Sequence, residues 1–229
     1  MKAMCFHPQV RTLRMQLFSM LRLSQRALDY SIKGFRLNHS DFTRHVHGDE
    51  AALELQHRRI RWLCCSLMDD KDIHTSDFRF AVVALRLSKA LHTTYKMTSQ
   101  IAWYTRLYLE RNPTAQSASL DRLGERVNSL MRLCIVSLLK EETAPAEAVL
   151  RSEEIWSRWE RIFDPLHLAH GGNIRSPEMF ERGVARNLGV IAKQAHEMAD
   201  AILYWLRGND AAQGLEFGSR FFFAVIEPA

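Results

Sequence analysis

The sequence predicts an all-α protein: two tandem three-helix repeats forming one elongated helical bundle. Three observations predict it. Only 10 glycines and 6 prolines interrupt 229 residues, which favours long helices over many short strands. Apolar residues recur at i, i+3 and i+4 through long stretches, as in Leu13, Leu17, Met20, Leu21, Ala27, Leu28 and Ile32. Pieces of the first half also return in the second. SMLRL (Ser19 to Leu23) is echoed by SLMRL (Ser129 to Leu133), and SQIAWYTRLYL (Ser99 to Leu109) by HEMADAILYWL (His196 to Leu206).

The first helix starts near Pro8 and runs to about Arg36. Ser40 is positioned to cap a second, because its hydroxyl accepts from the free amides of a first turn. That helix continues to about Met68 and offers Val46, Leu53, Leu55, Ile60 and Leu63 for burial. The run DDKD breaks it. Thr75 or Ser76 opens a third, which Asn112-Pro113 ends, since the residue before a proline is pushed out of helical dihedrals. In the second half Ser117 or Ser119 caps a helix to about Glu142. Thr143 caps the next, with Pro145 in its first turn where no N–H is needed, and it is expected to run through Trp156 and Trp159 to about Ile162. Ser176 and Pro177 open the last helix, which stops at Arg207-Gly208, a basic residue followed by a terminating glycine. The units are therefore 8–112, 117–208 and a Phe-rich tail, 209–229.

Composition narrows the function. Apolar residues make up 47 % of the chain, enough for a substantial core. The formal net charge of +5 permits contact with anionic partners and demands none. No lysine/arginine block or nucleic-acid motif is present, so direct nucleic-acid binding is disfavoured. Cys5, Cys64, Cys65 and Cys134 follow neither zinc spacing nor the C-x-x-C redox pattern. No window reaches the roughly 18 apolar residues of a membrane span, and the stretch MKAMCFHPQVRTLRM lacks the unbroken apolar run of a signal peptide. A cytoplasmic protein without membrane insertion is expected. There is no G-x-S-x-G, no phosphate-binding glycine loop and no Cys/His/Asp order that suggests catalysis, so the expectation is no enzyme.

Individual residues read plainly. His92 is taken as a partly exposed helix residue. His167 with His170 lack a third ligand nearby, and His45 with His47 cannot share one helix face well with Asp49 and Glu50. Most tryptophans (Trp62, Trp103, Trp205) are expected in the core or at its rim. Trp156 and Trp159, three apart, are instead a candidate partner-binding ridge. Asp77 falls in a first helical turn, where a carboxylate favours the dipole.

Several strings, in order and spacing, resemble the PhoU family of bacterial phosphate-signalling regulators. VHGDEAALELQHRRI (Val46 to Ile60) is similar to the family's second helix, with Val46 and Asp49 three apart. Asp77-Phe78-Arg79 looks like the Asp-Leu-Arg opening of its third helix, and Gln100-Ile101-Ala102 like its Asn-Ile-Ala. Leu188, Ile191, Ala195, Ala199, Tyr204 and Gly208 keep the spacing of its last helix. The resemblance spans roughly residues 12 to 208 and implies the bundle above. It also implies a regulatory adaptor that restrains the phosphate-starvation response by docking. Its expected partners are the ATPase subunit of a phosphate transporter and a sensor histidine kinase, and a homodimer is admitted.

The departures from the family are as informative. Family members carry Glu-x-x-x-Asp in the third and sixth helices, two carboxylates one turn apart that hold iron, zinc or other divalent ions. Here the positions are His92 with Lys96, and Gly189 with Lys193. A protonated lysine cannot ligate a metal and repels one, so no metal cluster and no cofactor are expected. Lys96 and Lys193 then read as surface lysines, as cations that replace the metal's charge with Asp49 as the first carboxylate to meet, or as an anion site. Asp49, Asp77, Arg79, Lys96 and Lys193 are the candidate interaction residues. The alternatives to an adaptor are a helical protein binding nucleic acid or another partner, and a small-anion sensor.

Overall fold

The computed structural model describes residues 8–37, 39, 41–109, 118–152 and 177–208. They form seven helices and no strand: α1 Pro8–Arg36, α2 Asp41–Gly48, α3 Glu50–Met68, α4 Thr75–Leu109, α5 Ala118–Lys140, α6 Thr143–Leu150 and α7 Pro177–Arg207. The all-α expectation holds, and the ends of α1, α4 and α7 lie within a few residues of the expected ones. Two boundaries need correction. The second helix is split in two at Gly48–Asp49 (Asp49 φ −94°, ψ −2°); glycine weakens a helix there, and the Asp49 side chain makes no cap bond to its own helix but reaches Arg26 on α1, Oδ2 to Nη2 at 2.5 Å. The helix opened at Thr143 closes at Leu150, where the Arg151 amide folds back to the carbonyls of Glu147 and Val149; the rest of its expected span, to Ile162, lies outside the described residues. Trp156, Trp159, His167, His170 and the 209–229 tail lie outside the described residues.

Within the first repeat the chain runs up, down and up. Gln56 Nε2 donates to Ser19 Oγ at 2.7 Å and Arg26 meets Asp49, so α3 descends beside α1. α4 then runs parallel to α1: Ser24 Oγ donates to the Leu91 carbonyl at 3.4 Å and Ser31 Oγ to that of Thr98 at 3.0 Å. The two serines are one heptad apart on one helix and their acceptors one heptad apart on the other. With Ala27 and Gly34 they form a buried stripe of small residues on α1, which lets the two axes approach closely. The second half contributes α5, α6 and α7 among the described residues.

α4 and α7 join the repeats. They run antiparallel: Tyr108 stacks on Phe180 with centroids 4.0 Å apart, and Phe80 lies 5.1 Å from Trp205. Between these pairs Arg86 Nη2 donates to Asp200 Oδ2 at 2.6 Å. At Gly183 α7 comes close to α4, since a Cβ there would sit 3.1 Å from the Tyr104 ring. α7 ends on Gly208 at φ 63°, a left-handed turn that glycine enters without steric cost. α1 and α5 form a second seam, where Asn128 Nδ2 donates to Asp29 Oδ1 at 2.6 Å and Arg36 pairs with Glu125 at 2.9 Å. One apolar cluster, from Val10 to Leu203, fills both repeats.

Candidate functional site

The first of the two family metal positions falls on α4 where it packs against α3. His92 is not a loose surface residue. Its side chain is 19 % exposed, and its Nε2 donates to Glu54 Oε2 on α3 at 2.7 Å. One turn further along α3, His57 lies flat on His92, with ring centroids 4.5 Å apart and planes 6° from parallel. His57 Nδ1 in turn meets Ser88 Oγ at 2.7 Å, and that hydroxyl lies 3.6 Å from Met20 Sδ on α1. Glu54 also accepts from Arg58 Nε at 3.2 Å. The cluster therefore pins three helices together through polar groups that each have a partner.

Charge shapes this cluster. Burial first, then the charge of His92, push the His57 imidazole below its usual range, with Arg61 and Lys96 adding to the push and Glu54 opposing it. The Glu54 carboxyl is held below its usual range, first by its bond from Arg58 and then by His92. Sequence reading missed His57, Glu54 and Ser88. The available signal was the i,i+3 pair Glu54/His57 on one helix and the i,i+4 pair Ser88/His92 on the next, which face each other only once the helices are antiparallel.

Lys96 is exposed, and the ion pair expected between it and Asp49 does not form. Asp49 is taken by Arg26, which reaches it with both Nε and Nη2. A guanidinium from α1 thus occupies the carboxylate that one of the three readings of Lys96 offered to lysine, with two of its nitrogens converging on Oδ2. Lys193 is also exposed, on α7. Lys89 stands three residues beyond Arg86, with Lys96 a heptad further on, and Lys193 stands a heptad before Asp200. The Arg86–Asp200 pair thus places these lysines on one side of the α4–α7 spine.

Asp77 is 2 % exposed and so is not available to a docking partner. Arg79 lays its guanidinium against Gly208 at the end of α7. Gly189 is half-buried on α7. Two tryptophans depart from the packing expected of them: Trp62 is 65 % exposed and Trp103 43 % exposed.

A metal cluster of the family type does not suit these side chains. His92 Nε2 is committed to Glu54, the remaining positions hold two lysines and a glycine, and no group of three or more His, Cys, Asp or Glu with metal-holding geometry occurs among the described residues. No described helix is long and apolar enough to cross a membrane.

No family model matches this sequence, and no curated protein is significantly similar to it. Solved structures are similar. PhoU from Pseudomonas aeruginosa superposes with a TM-score of 0.77 at 16 % identity, over 87 % of this chain and 98 % of that one. The fold is that of PhoU. The phosphate transport system regulatory protein PhoU from Streptococcus pneumoniae gives a TM-score of 0.72 at 13 % identity, over 87 % of this chain and 95 % of its own. The PhoU resemblance read from scattered strings is thus matched by architecture across nearly the whole length of both structures.

Proposed function

We propose that this protein is a PhoU-like regulatory adaptor of phosphate transport and phosphate-starvation signalling, acting by docking and without a metal cluster. The observation that carries the reading is the superposition on a phosphate transport regulator over 95 % of that regulator's length. The chemistry of His92, Lys96, Gly189 and Lys193 supports the metal-free part. In this reading the protein is cytoplasmic and non-catalytic, its partners are the transporter's ATPase subunit and a sensor histidine kinase, and its output is negative. Affinity capture of the tagged protein from its native cell is the test. Recovery of those two partners is expected; recovery of neither overturns the reading.

A second reading is a small-anion sensor, favoured by Lys96 and Lys193, two exposed cations on one side of the spine. Titration calorimetry with inorganic phosphate decides it: a heat of binding that disappears in Lys96→Ala and Lys193→Ala supports a sensor, and no heat removes it.

A further inference from the structure

α3 carries two helical stripes. Its inner one, Leu53, Ile60, Leu63, Cys64 and Leu67, is buried in the bundle. On the opposite face a second series runs Ala51, Leu55, Arg58, Trp62 and Cys65, all exposed, at alternating spacings of four and three. That spacing is the seam of a helix prepared for another helix, and a helix on the edge of a bundle needs only one such stripe. Leu55 is 67 % and Trp62 65 % exposed, the two most open large apolar side chains among the described residues. They stand a heptad apart, about 10.5 Å along the axis.

Charge selects what covers this seam. Arg58, Arg59 and Arg61 are exposed beside it. Of the acidic groups on that side, Glu54 is already engaged by Arg58 and His92, and Glu50 stands one turn before it at the start of the helix, away from Trp62. A second copy of the chain fits badly. Antiparallel twofold packing that sets Leu55 against the other copy's tryptophan puts the symmetry axis at Arg58 and Arg59, bringing four guanidinium groups together. An acidic helix meets the same arginines favourably, and a tryptophan flanked by arginines is the composition of interface hot spots.

We propose that the outer seam of α3 docks an acidic amphipathic helix of a partner protein, whose apolar residues cover Leu55 and Trp62 and whose carboxylates meet Arg59 and Arg61. The proposal deepens the adaptor reading and rests on it, but the two fail separately: capture from the cell tests the adaptor, and binding of a designed helix tests the seam.

The probe is a fluorescein-labelled three-heptad peptide with leucine at the two seam positions and glutamate at the flanking ones, titrated by anisotropy against the full-length protein. A shuffled peptide of the same composition should bind about tenfold more weakly. Trp62→Ala and Arg59→Glu should each weaken the designed peptide about tenfold without lowering the melting temperature, and Leu55→Ser should do the same. Equal binding of the shuffled peptide overturns the proposal in favour of a bare polyanion site. Unchanged affinity in the variants also overturns it. So does a dimer that Trp62→Ala dissociates, displacement by a synthetic 209–229 peptide, or Trp62-dependent binding of phosphatidylglycerol vesicles with no peptide binding.

Discussion

The imidazole rings of His57 and His92 lie face to face across α3 and α4, 4.5 Å between centroids. Stacked rings in this position cannot both gain a proton without bringing two positive charges into contact, beside Arg61 and Lys96. The junction of the two helices is therefore built for a neutral His57.

The pH dependence follows from that. His57 titrates below its usual value in the folded chain and near about 6.5 in the unfolded chain. Between those values the unfolded chain binds a proton that the folded chain does not, so stability rises with pH across the window and is lost as pH falls below about 6.5. Thermal unfolding measured from neutral to mildly acidic pH should fall more steeply for the native protein than for His57→Gln. Equal slopes would remove His57 from the effect.

The Arg26–Asp49 pair predicts a small and specific cost. Arg26 is 50 % exposed and Asp49 21 %, so solvent screens much of the attraction and Arg26→Ala should cost less than about 1 kcal/mol. Lys96→Ala should cost nothing measurable. Urea denaturation of both variants separates arginine from lysine as the partner of Asp49, and a larger loss from Lys96→Ala would reverse the assignment.

How much of this was legible in the sequence depends on distance along the chain. Helices end where local chemistry ends them: DDKD after Met68 and glycine at 208 are punctuation that neighbouring residues supply. The split at Asp49 had a local mark in the glycine before it, Gly48, but the group that takes up the Asp49 carboxylate, Arg26, comes from another helix and was not legible. The His57–His92 stack was not legible either. Each residue alone is an unremarkable helix histidine, and only the antiparallel return of the chain makes them neighbours. The loss of carboxylates at His92, Lys96, Gly189 and Lys193 could be read directly. What replaced them, a tethered imidazole in one repeat and open lysines on the spine, needed coordinates.

Gly183 should tolerate little larger than alanine. A Cβ at that position would stand 3.1 Å from the Tyr104 ring, so Gly183→Ala asks the ring to give slightly while gaining about 1 kcal/mol of helix propensity, whereas Gly183→Leu forces the ring or the helix to move, at about 1–3 kcal/mol. In a protein of this size the leucine lowers the melting temperature by roughly 2–4 °C for each kcal/mol. A melting temperature of Gly183→Leu equal to the native one would show that the helices separate without cost.

Thiol chemistry should sort the cysteines by depth. Burial pushes the Cys64 and Cys134 thiols up to about 12, which leaves almost no thiolate at neutral pH. Cys65, next in the chain to Cys64, is exposed. Iodoacetamide labelling read by mass spectrometry should modify Cys65 in the native protein, with Cys64 and Cys134 following only in denaturant. Early labelling of Cys134 would mean that α5 opens from the bundle.

The antiparallel contact of α4 with α7 has a consequence for cooperativity. Tyr108 against Phe180 and Phe80 against Trp205 are contacts that neither repeat can make alone, and the apolar cluster continues through them without a break. The sequence repeats, but the folded molecule does not divide. The two halves should therefore melt as one unit, with a lesion in either shared by both.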